Sequence, residues 1–451
     1  MLKQAKTDST EAKLRVLVCA YSCVSENGIK LIGGEAILGW SFVSQLGRSY
    51  SVCVLTAAKN RAGIEEALRR DPLPDVHFHY LNLPSWLQPL QGFQGGIQLY
   101  AYLWQLRAYF AAHRLHKRLR FDVFHHVTYA NDWMASFIGA LLPVPYIRGP
   151  GGGAHRSPKD FLCEYSLSGR LAERIRGVGQ WILRHDPFFI MGQRRAKVIL
   201  VCNREALEAI PRTWQHKAHL FPVNGISWRD MTLAKSAGES RKGFRVASAG
   251  KLLQIKGFAL ALRSFKVFAD RSPRAEFTIV GEGPERPRLE ALIDELGLAD
   301  KVRIENWMPR GQLLEEIAAC DVFLFPSLRD GGGAVVVEAM AAGKPVICLD
   351  LAGPAMHVTD ACGIRVPANS PEQAASDMAL ALERLCENEE LRHRMGSAGR
   401  ERAEKFYRWE RLGEHLLEIY RDALQGEPSS LNTRGNDECI AAAAGLHQTP
   451  F

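Results

Sequence analysis

No run of about 18 uncharged apolar residues occurs in this 451-residue chain, which excludes a polytopic membrane protein. The ten cysteines form no C-x-x-C pair and no Cys/His spacing suited to zinc, so neither a redox dithiol nor a zinc module is expected. An Asp-x-Asp pair of the kind that holds Mg²⁺ or Mn²⁺ is missing, as is a full G-x-G-x-x-G, and no nucleic-acid-binding motif appears. The first residues, MLKQAKTDSTEAK, contain no apolar signal core. What is present is ordinary for a globular protein: 47% hydrophobic and 24% charged residues. That composition excludes a mostly disordered chain, a collagen-like repeat and a small disulfide-stapled scaffold. At about 150 residues per domain the length predicts two or three domains.

Charge is uneven. Residues 1–225 hold 28 Lys+Arg against 16 Asp+Glu, a net of +12, and the remainder is net −4. A basic first half fits a surface that meets phosphates, nucleic acid or anionic lipid, or simply a solvated basic face. Cys19, Cys53, Cys202 and Cys348 lie inside apolar runs and read as buried, reduced thiols, so a cytoplasmic location is expected.

Short β-branched runs alternate with helical periodicity twice over. Strands are predicted at 14–20, 50–56, 76–81, 121–127, 144–149 and 197–202. A second set is predicted at 244–250, 276–281, 302–306, 321–326, 345–350 and 362–366. Helices are predicted at 35–46, 133–142, 257–269, 284–297, 311–319, 334–342 and 371–386, with one or two more across 397–424. This is the pattern of an α/β protein with two doubly wound parallel sheets, whose ligands belong at the carboxyl ends of the strands. The expected division is a first domain at 1–226, a linker at 227–243, a second domain at 244–408, a closing helix at 409–425 and a disordered tail at 426–451.

The richest stretch runs from Asp321 to Asp350, DVFLFPSLRDGGGAVVVEAMAAGKPVICLD. A strand ends at Pro326, a loop carries Asp330 with Gly331, Gly332 and Gly333, and a helix opens at Ala334 and Val335 and holds Glu338. Glycines before a helix N-terminus let a ligand's anionic group approach the backbone closely. The plainer alternative is a tight turn with Asp330 as helix cap. Glu338, however, lies on a helix apolar on nearly every face, where an unpaired carboxylate is costly and needs a partner. Upstream, AGKLLQIKG (249–257) places Lys251 and Lys256 where a strand ends; they are either two solvated lysines or a pair that offsets phosphate charge.

VGEGPER (280–286), with Gly281 and Gly283, is a strand end turning into a helix and by itself a weak signal. Gly33 and Gly34 precede the 35–46 helix. His125 and His126 end the strand of FDVFHHV and could equally be core or cleft residues. IRGPGGGAHRSP (147–158) has the composition of a loop beside a cleft, without an assignable role. The 99–120 stretch reads either as a core helix with a solvated basic end or as an amphipathic helix on anionic lipid.

Together these motifs resemble the retaining, nucleotide-sugar-dependent glycosyltransferases of family 4, which have the GT-B fold of two Rossmann-like domains facing across a cleft. The resemblance rests on two acids with seven residues between them, Asp330 and Glu338, followed by the run from Glu338 to Val346. The family usually has Glu where this chain has Asp330 and Arg where it has Lys251. It implies that Glu338 binds the donor's ribose, Asp330 its sugar, and Lys251 and Lys256 its diphosphate. Gly33, Gly34, Gly281, Gly283, Met308, Gly331, Gly332, Gly333, Ala334 and Val335 would line the donor pocket, and His125 or His126 would touch the donor sugar. It further implies catalysis without metal or other cofactor, a hydroxyl acceptor on a lipid-linked or cell-surface glycan, an anionic membrane surface as a partner and no nucleic acid. Two other functions fit the same motifs, a nucleotide-sugar epimerase of GT-B fold and a non-catalytic nucleotide-sugar or glycan-binding protein.

Overall fold

The computed structural model describes residues 13–25, 34–92, 94–233 and 243–425. Gly33 and the 426–451 tail lie outside them. Two parallel sheets organise the chain. The first comprises β1 (Arg15–Ala20), β2 (Ser51–Ala57), β3 (Val76–Leu81), β4 (Val123–Thr128), β5 (Tyr146–Gly151), β6 (Ala196–Val201) and β7 (Ala218–Leu220), in the order β3-β2-β1-β4-β5-β6-β7. The second comprises β8 (Phe244–Ala249), β9 (Ala275–Val280), β10 (Val302–Glu305), β11 (Val322–Phe325), β12 (Val346–Leu349) and β13 (Gly363–Val366), in the order β10-β9-β8-β11-β12-β13.

Both sheets change winding direction beside their first strand, between β1 and β4 and between β8 and β11. A crevice opens at such a point because successive crossover helices leave on opposite faces. The central strands are apolar on both faces because each face is covered. On one side of the first sheet pack the helices Gly34–Gly47 and Trp409–Gln425, with Phe42, Leu46, Leu416 and Tyr420 in a shared core. On the other packs the long helix Gln94–Leu119, which buries Tyr100, Trp104, Ala108 and Ala112. The closing helix therefore leaves the second domain and completes the core of the first.

Three expectations change. β7 was not foreseen, since three residues, Ala-His-Leu, carry no readable alternation. The predicted 133–142 helix shrinks to Phe137–Leu141, because Ser136 caps it by accepting the Gly139 N–H. The 227–243 stretch is not linker throughout, for it begins with the helix Trp228–Leu233. Of the one or two helices expected across 397–424 there are two, Glu389–Phe406, which starts earlier than expected, and Trp409–Gln425, which has the expected bounds. No helix among the described residues is long and apolar enough to cross a membrane.

Candidate active site

A cavity of about 580 Å³ lies between the carboxyl ends of the two sheets. The second domain contributes Lys251, Lys256, Asp330, Gly331, Gly332, Gly333, Ala334 and Val335; the first contributes Gly34, Asn131, Gly153, His155, Cys202 and Asn224, among others.

The second-domain wall is built from two strand ends. After β8 the chain passes Lys251 and makes a short 3-10 turn, Gln254–Lys256, that ends at Gly257 with φ 68°. A Cβ on Gly257 would lie 2.1 Å from the Pro326 carbonyl, so only glycine lets the β8 and β11 loops touch here. That contact sets the Lys256 ammonium on Asp330 Oδ2 as a short ion pair. Asp330 Oδ1 accepts the N–H groups of Gly332 (3.1 Å) and Gly333 (2.8 Å). Burial alone would raise the Asp330 pKa, but the Lys256 ammonium and the two amides outweigh it and hold the carboxyl below its ordinary range.

One sequence expectation is thereby refined. The Gly332 and Gly333 amides are occupied by the protein's own carboxylate, and the anion-binding backbone left on the cavity wall is the first helical turn at Ala334 and Val335. Lys251 is exposed on the same wall and makes no ion pair among the described residues. It is the group most available to an incoming anion.

Glu338 does have the partner its burial demands. Arg310 Nη1 lies 2.6 Å from Glu338 Oε1, and Arg310 Nε lies 3.3 Å from Asp230 Oδ2. Asp230 in turn accepts from Ser227 Oγ at 2.7 Å. One guanidinium thus ties Glu338 behind the cavity wall to the Trp228–Leu233 helix. Neither Arg310 nor Asp230 was singled out in the sequence, because an Arg–Glu pair 28 positions apart has no local signature.

Gly281 and Gly283 are one layer back from the cavity. A Cβ there would lie 1.9 Å from the Gly250 carbonyl oxygen and 2.3 Å from that of Leu252, so both glycines allow the β9 turn to support the Lys251 loop. Met308 packs against the apolar core beneath the Ala334–Ala341 helix and is not on the wall.

The structure does not bring His125 or His126 to the cleft. β4 is central, paired with β1 and β5, and its alternate side chains enter the two covered faces. His125 Nε2 donates to the Gly149 carbonyl (2.6 Å) and Nδ1 accepts from the Tyr420 hydroxyl (2.8 Å). His126 Nε2 sits 2.9 Å from Gln105 Nε2 on the other face. Burial pushes their pKa values down to about 4 and about 3, so both are neutral core histidines.

The first-domain histidine that does reach the cleft is His155, from the loop after β5, opposite Gly331. Burial and then the Arg176 charge lower its pKa to about 4, and its Nδ1 is buried without a hydrogen-bond partner. Asn224 Nδ2 is likewise buried, unpartnered and beside Gly332. Two first-domain side chains therefore meet the Asp330–Gly333 loop, the His155 ring through its Cε1–Nε2 edge beside Gly331 and the Asn224 amide beside Gly332. Their positions after β5 and after β7 are far apart in sequence, and only the sheet order puts them together.

Residues 232–402 match the family model for glycosyl transferases group 1. The chain is 30% identical over 191 residues to a D-inositol 3-phosphate glycosyltransferase of Corynebacterium kroppenstedtii, a stretch covering 41% of each protein. It is 28% identical over 265 residues to the alpha-D-kanosaminyltransferase of Streptomyces kanamyceticus, covering 56% of this chain and 66% of that one. The matches thus span less than two thirds of the length of these curated relatives. Among solved structures, the Anabaena protein HepE in complex with UDP-glucose superposes with a TM-score of 0.58 at 16% identity, over 91% of this chain and all of the other. The fold is that of the GT-B glycosyltransferases, and the family match at residues 232–402 supports a glycosyltransferase.

Proposed function

We propose that this protein is a retaining glycosyltransferase that moves a sugar from a nucleoside diphosphate to a hydroxyl acceptor, without a metal. The observation that carries this reading is the placement of Lys251 and Lys256 beside the Asp330–Gly333 loop on one wall of the interdomain cavity. Two cations and a helix N-terminus at one point suit a diphosphate, and they stabilise most strongly the charge that develops as it leaves. Asp330, already fixed by Lys256 and two amides, is a rigid acceptor for sugar hydroxyls. Glu338 has Oε1 on Arg310, and its second oxygen is assigned to the ribose hydroxyls.

In the reaction the acceptor oxygen forms a bond to the sugar's anomeric carbon on the face from which the phosphate oxygen departs. The electron pair of the broken bond stays on the diphosphate, and the acceptor proton passes to it. His155 and Asn224 hold the sugar from the first domain, and closure of the cleft excludes water that would otherwise hydrolyse the donor. The acceptor is assigned to lipid-linked or cell-surface glycans, and the location to the cytoplasm with contact to the inner membrane face.

Calorimetric titration with UDP, GDP and ADP in EDTA, repeated in Mg²⁺, tests this. Micromolar binding of one nucleotide in EDTA is the expected result. Absence of binding by all three would remove the donor site. If donor is turned over, the anomeric configuration of the product, read by NMR, decides retention.

A further inference from the structure

The helix Leu167–Arg184 is amphipathic in the wrong sense for a surface helix. An ordinary surface helix turns its apolar stripe inward and its polar face to water. Here Leu167, Leu171, Ile175, Val178, Trp181 and Ile182 share one face and are 57–82% exposed. Three polar residues of the opposite face point inward. Glu173 pairs with Arg329, Arg176 Nη2 donates to the Gly153 carbonyl at 2.7 Å, and Gln180 Nε2 donates to the same oxygen at 2.9 Å. These contacts fix the helix's orientation, so the apolar stripe cannot roll inward without breaking them. Six large apolar side chains in line on one helix are well beyond the scattered exposure normal for a protein surface.

We propose that this face docks on an anionic lipid bilayer, with the Leu167–Arg184 helix lying in the headgroup layer and its apolar stripe in the acyl region. The charge pattern selects this occupant. Arg174 is exposed along the stripe, Arg170 is exposed at its edge with its guanidinium on the Tyr165 and Cys163 carbonyls, and the helix's only acid, Glu173, is turned inward. A second copy laid on this face would meet those arginines with no outward acid from its own helix, whereas an anionic leaflet complements them. Trp181 near the helix end supplies the amphipathic ring favoured at a membrane interface.

A cavity of about 560 Å³ opens between this helix and Gln94–Leu119, with Ile175 and Leu99 among its lining residues and both exposed. Trp133 Nε1 and Gln98 Oε1 are buried there without partners, one donor and one acceptor. The Gly153 loop that Arg176 and Gln180 hold also lines the donor cleft. A lipid-borne acceptor would therefore find an apolar recess within one loop of the transfer site, a corollary that rests on the transferase reading; the docking itself does not.

The test is sedimentation of the full chain with vesicles of phosphatidylcholine, with and without 30 mol% phosphatidylglycerol, an anionic fraction of about one third chosen to span the surface potential at issue. The expected result is binding to the anionic vesicles and little to the neutral ones. The double variant Leu171→Glu/Ile175→Glu should lower partitioning more than about a hundred-fold, since two buried aliphatic side chains are lost. Arg170→Gln/Arg174→Gln should lower it roughly thirty-fold, at about 1 kcal/mol per cation. Melting temperature and nucleotide titration of each variant serve as controls, because all four side chains are exposed. Absence of wild-type binding, or variants that melt like wild type yet bind vesicles equally well, would overturn the proposal. So would a concentration-dependent dimer that the double glutamate variant dissolves. Vesicle binding without nucleotide binding would leave the docking face standing and defeat the transferase reading alone.

Discussion

The two domains are wound alike but present their cleft residues differently. In the second, the cavity wall comes from two segments, 251–256 and 330–335, each continuous in sequence and each held by glycines that permit close loop contact. In the first, the lining is spread over five places, the start of the Gly34–Gly47 helix and the segments after β4, β5, β6 and β7, and the glycine-rich 150–155 stretch is the longest of them. On the proposed function the contrast has a physical reason. Holding a charged group requires several donors in fixed relation, which one loop supplies best. Contacting the far side of a ligand needs only isolated polar atoms, which any strand end can offer.

The predictions below attempt to break that contrast, taking the largest effect first. Lys256→Ala removes a cation from the cavity wall together with the partner of Asp330; on the proposed function, kcat/KM with the donor should fall by about 10²–10³. A loss below tenfold would mean the wall is not where charge develops. Glu338→Ala removes the closest carboxylate partner of the half-buried Arg310; it should cost about 1.5–3 kcal/mol in chemical denaturation, the loss of one charged hydrogen bond, and abolish nucleotide binding. Wild-type nucleotide affinity in a folded Glu338→Ala protein would make Glu338 a purely structural residue.

On the other side of the cleft, His155→Ala should lower turnover about tenfold, the loss of one neutral hydrogen bond, with little change in melting temperature. His126→Ala should do the reverse, lowering the melting temperature and leaving turnover of the folded enzyme unchanged. Equal behaviour of the two would erase the distinction between cleft and core histidine.

The smallest effect is acid sensitivity. His125, His126 and His155 in the first domain have pKa values lowered to about 4, 3 and 4, and His357 in the second to about 4, burial being the largest cause in each. Each is neutral in the fold but protonated in the unfolded chain below about 6.5, so its contribution weakens as pH falls from there toward its folded value. Asp330 has a lowered pKa, so its contribution is full above the ordinary carboxylate value of about 3.9 and is lost only below it. Hydrogen exchange should therefore show β4, which carries His125 and His126, losing protection at a higher pH than β8, while the Gly332 loop held by His357 after β11 should follow β4. Simultaneous loss would show that the domains do not differ in this respect.

Much of this architecture was legible from local pattern. Short β-branched runs located twelve of the thirteen described strands, because a strand covered on both faces must be apolar throughout. The need of Glu338 for a partner also followed from its apolar helix, although the partner's identity did not. The histidines show where such reading ends. FDVFHHV locates the strand, but whether His125 or His126 sees ligand depends on β4 being central and covered on both faces by helices from 34–47, 94–119 and 409–425. The Leu167–Arg184 helix is the opposite case. It was not among the predicted helices, and although Leu167, Leu171, Ile175, Val178 and Ile182 recur at helical spacing, periodicity marks an apolar face without saying whether protein or another phase covers it.

Sequence by itself determined the two α/β sheets, the Lys251–Lys256 pair and the Asp330–Glu338 loop and helix, because each is written in contiguous residues whose backbone preferences and burial needs are local. Tertiary structure alone decided that Arg310 holds Glu338, that Asp330 fills the amides of its own glycine loop, that His155 replaces the β4 histidines in the cleft, and that the Leu167–Arg184 helix faces outward. Those outcomes depend on which distant groups the sheet order brings within hydrogen-bonding reach, and an interaction that acts over about 3 Å leaves no trace in the spacing of residues tens of positions apart.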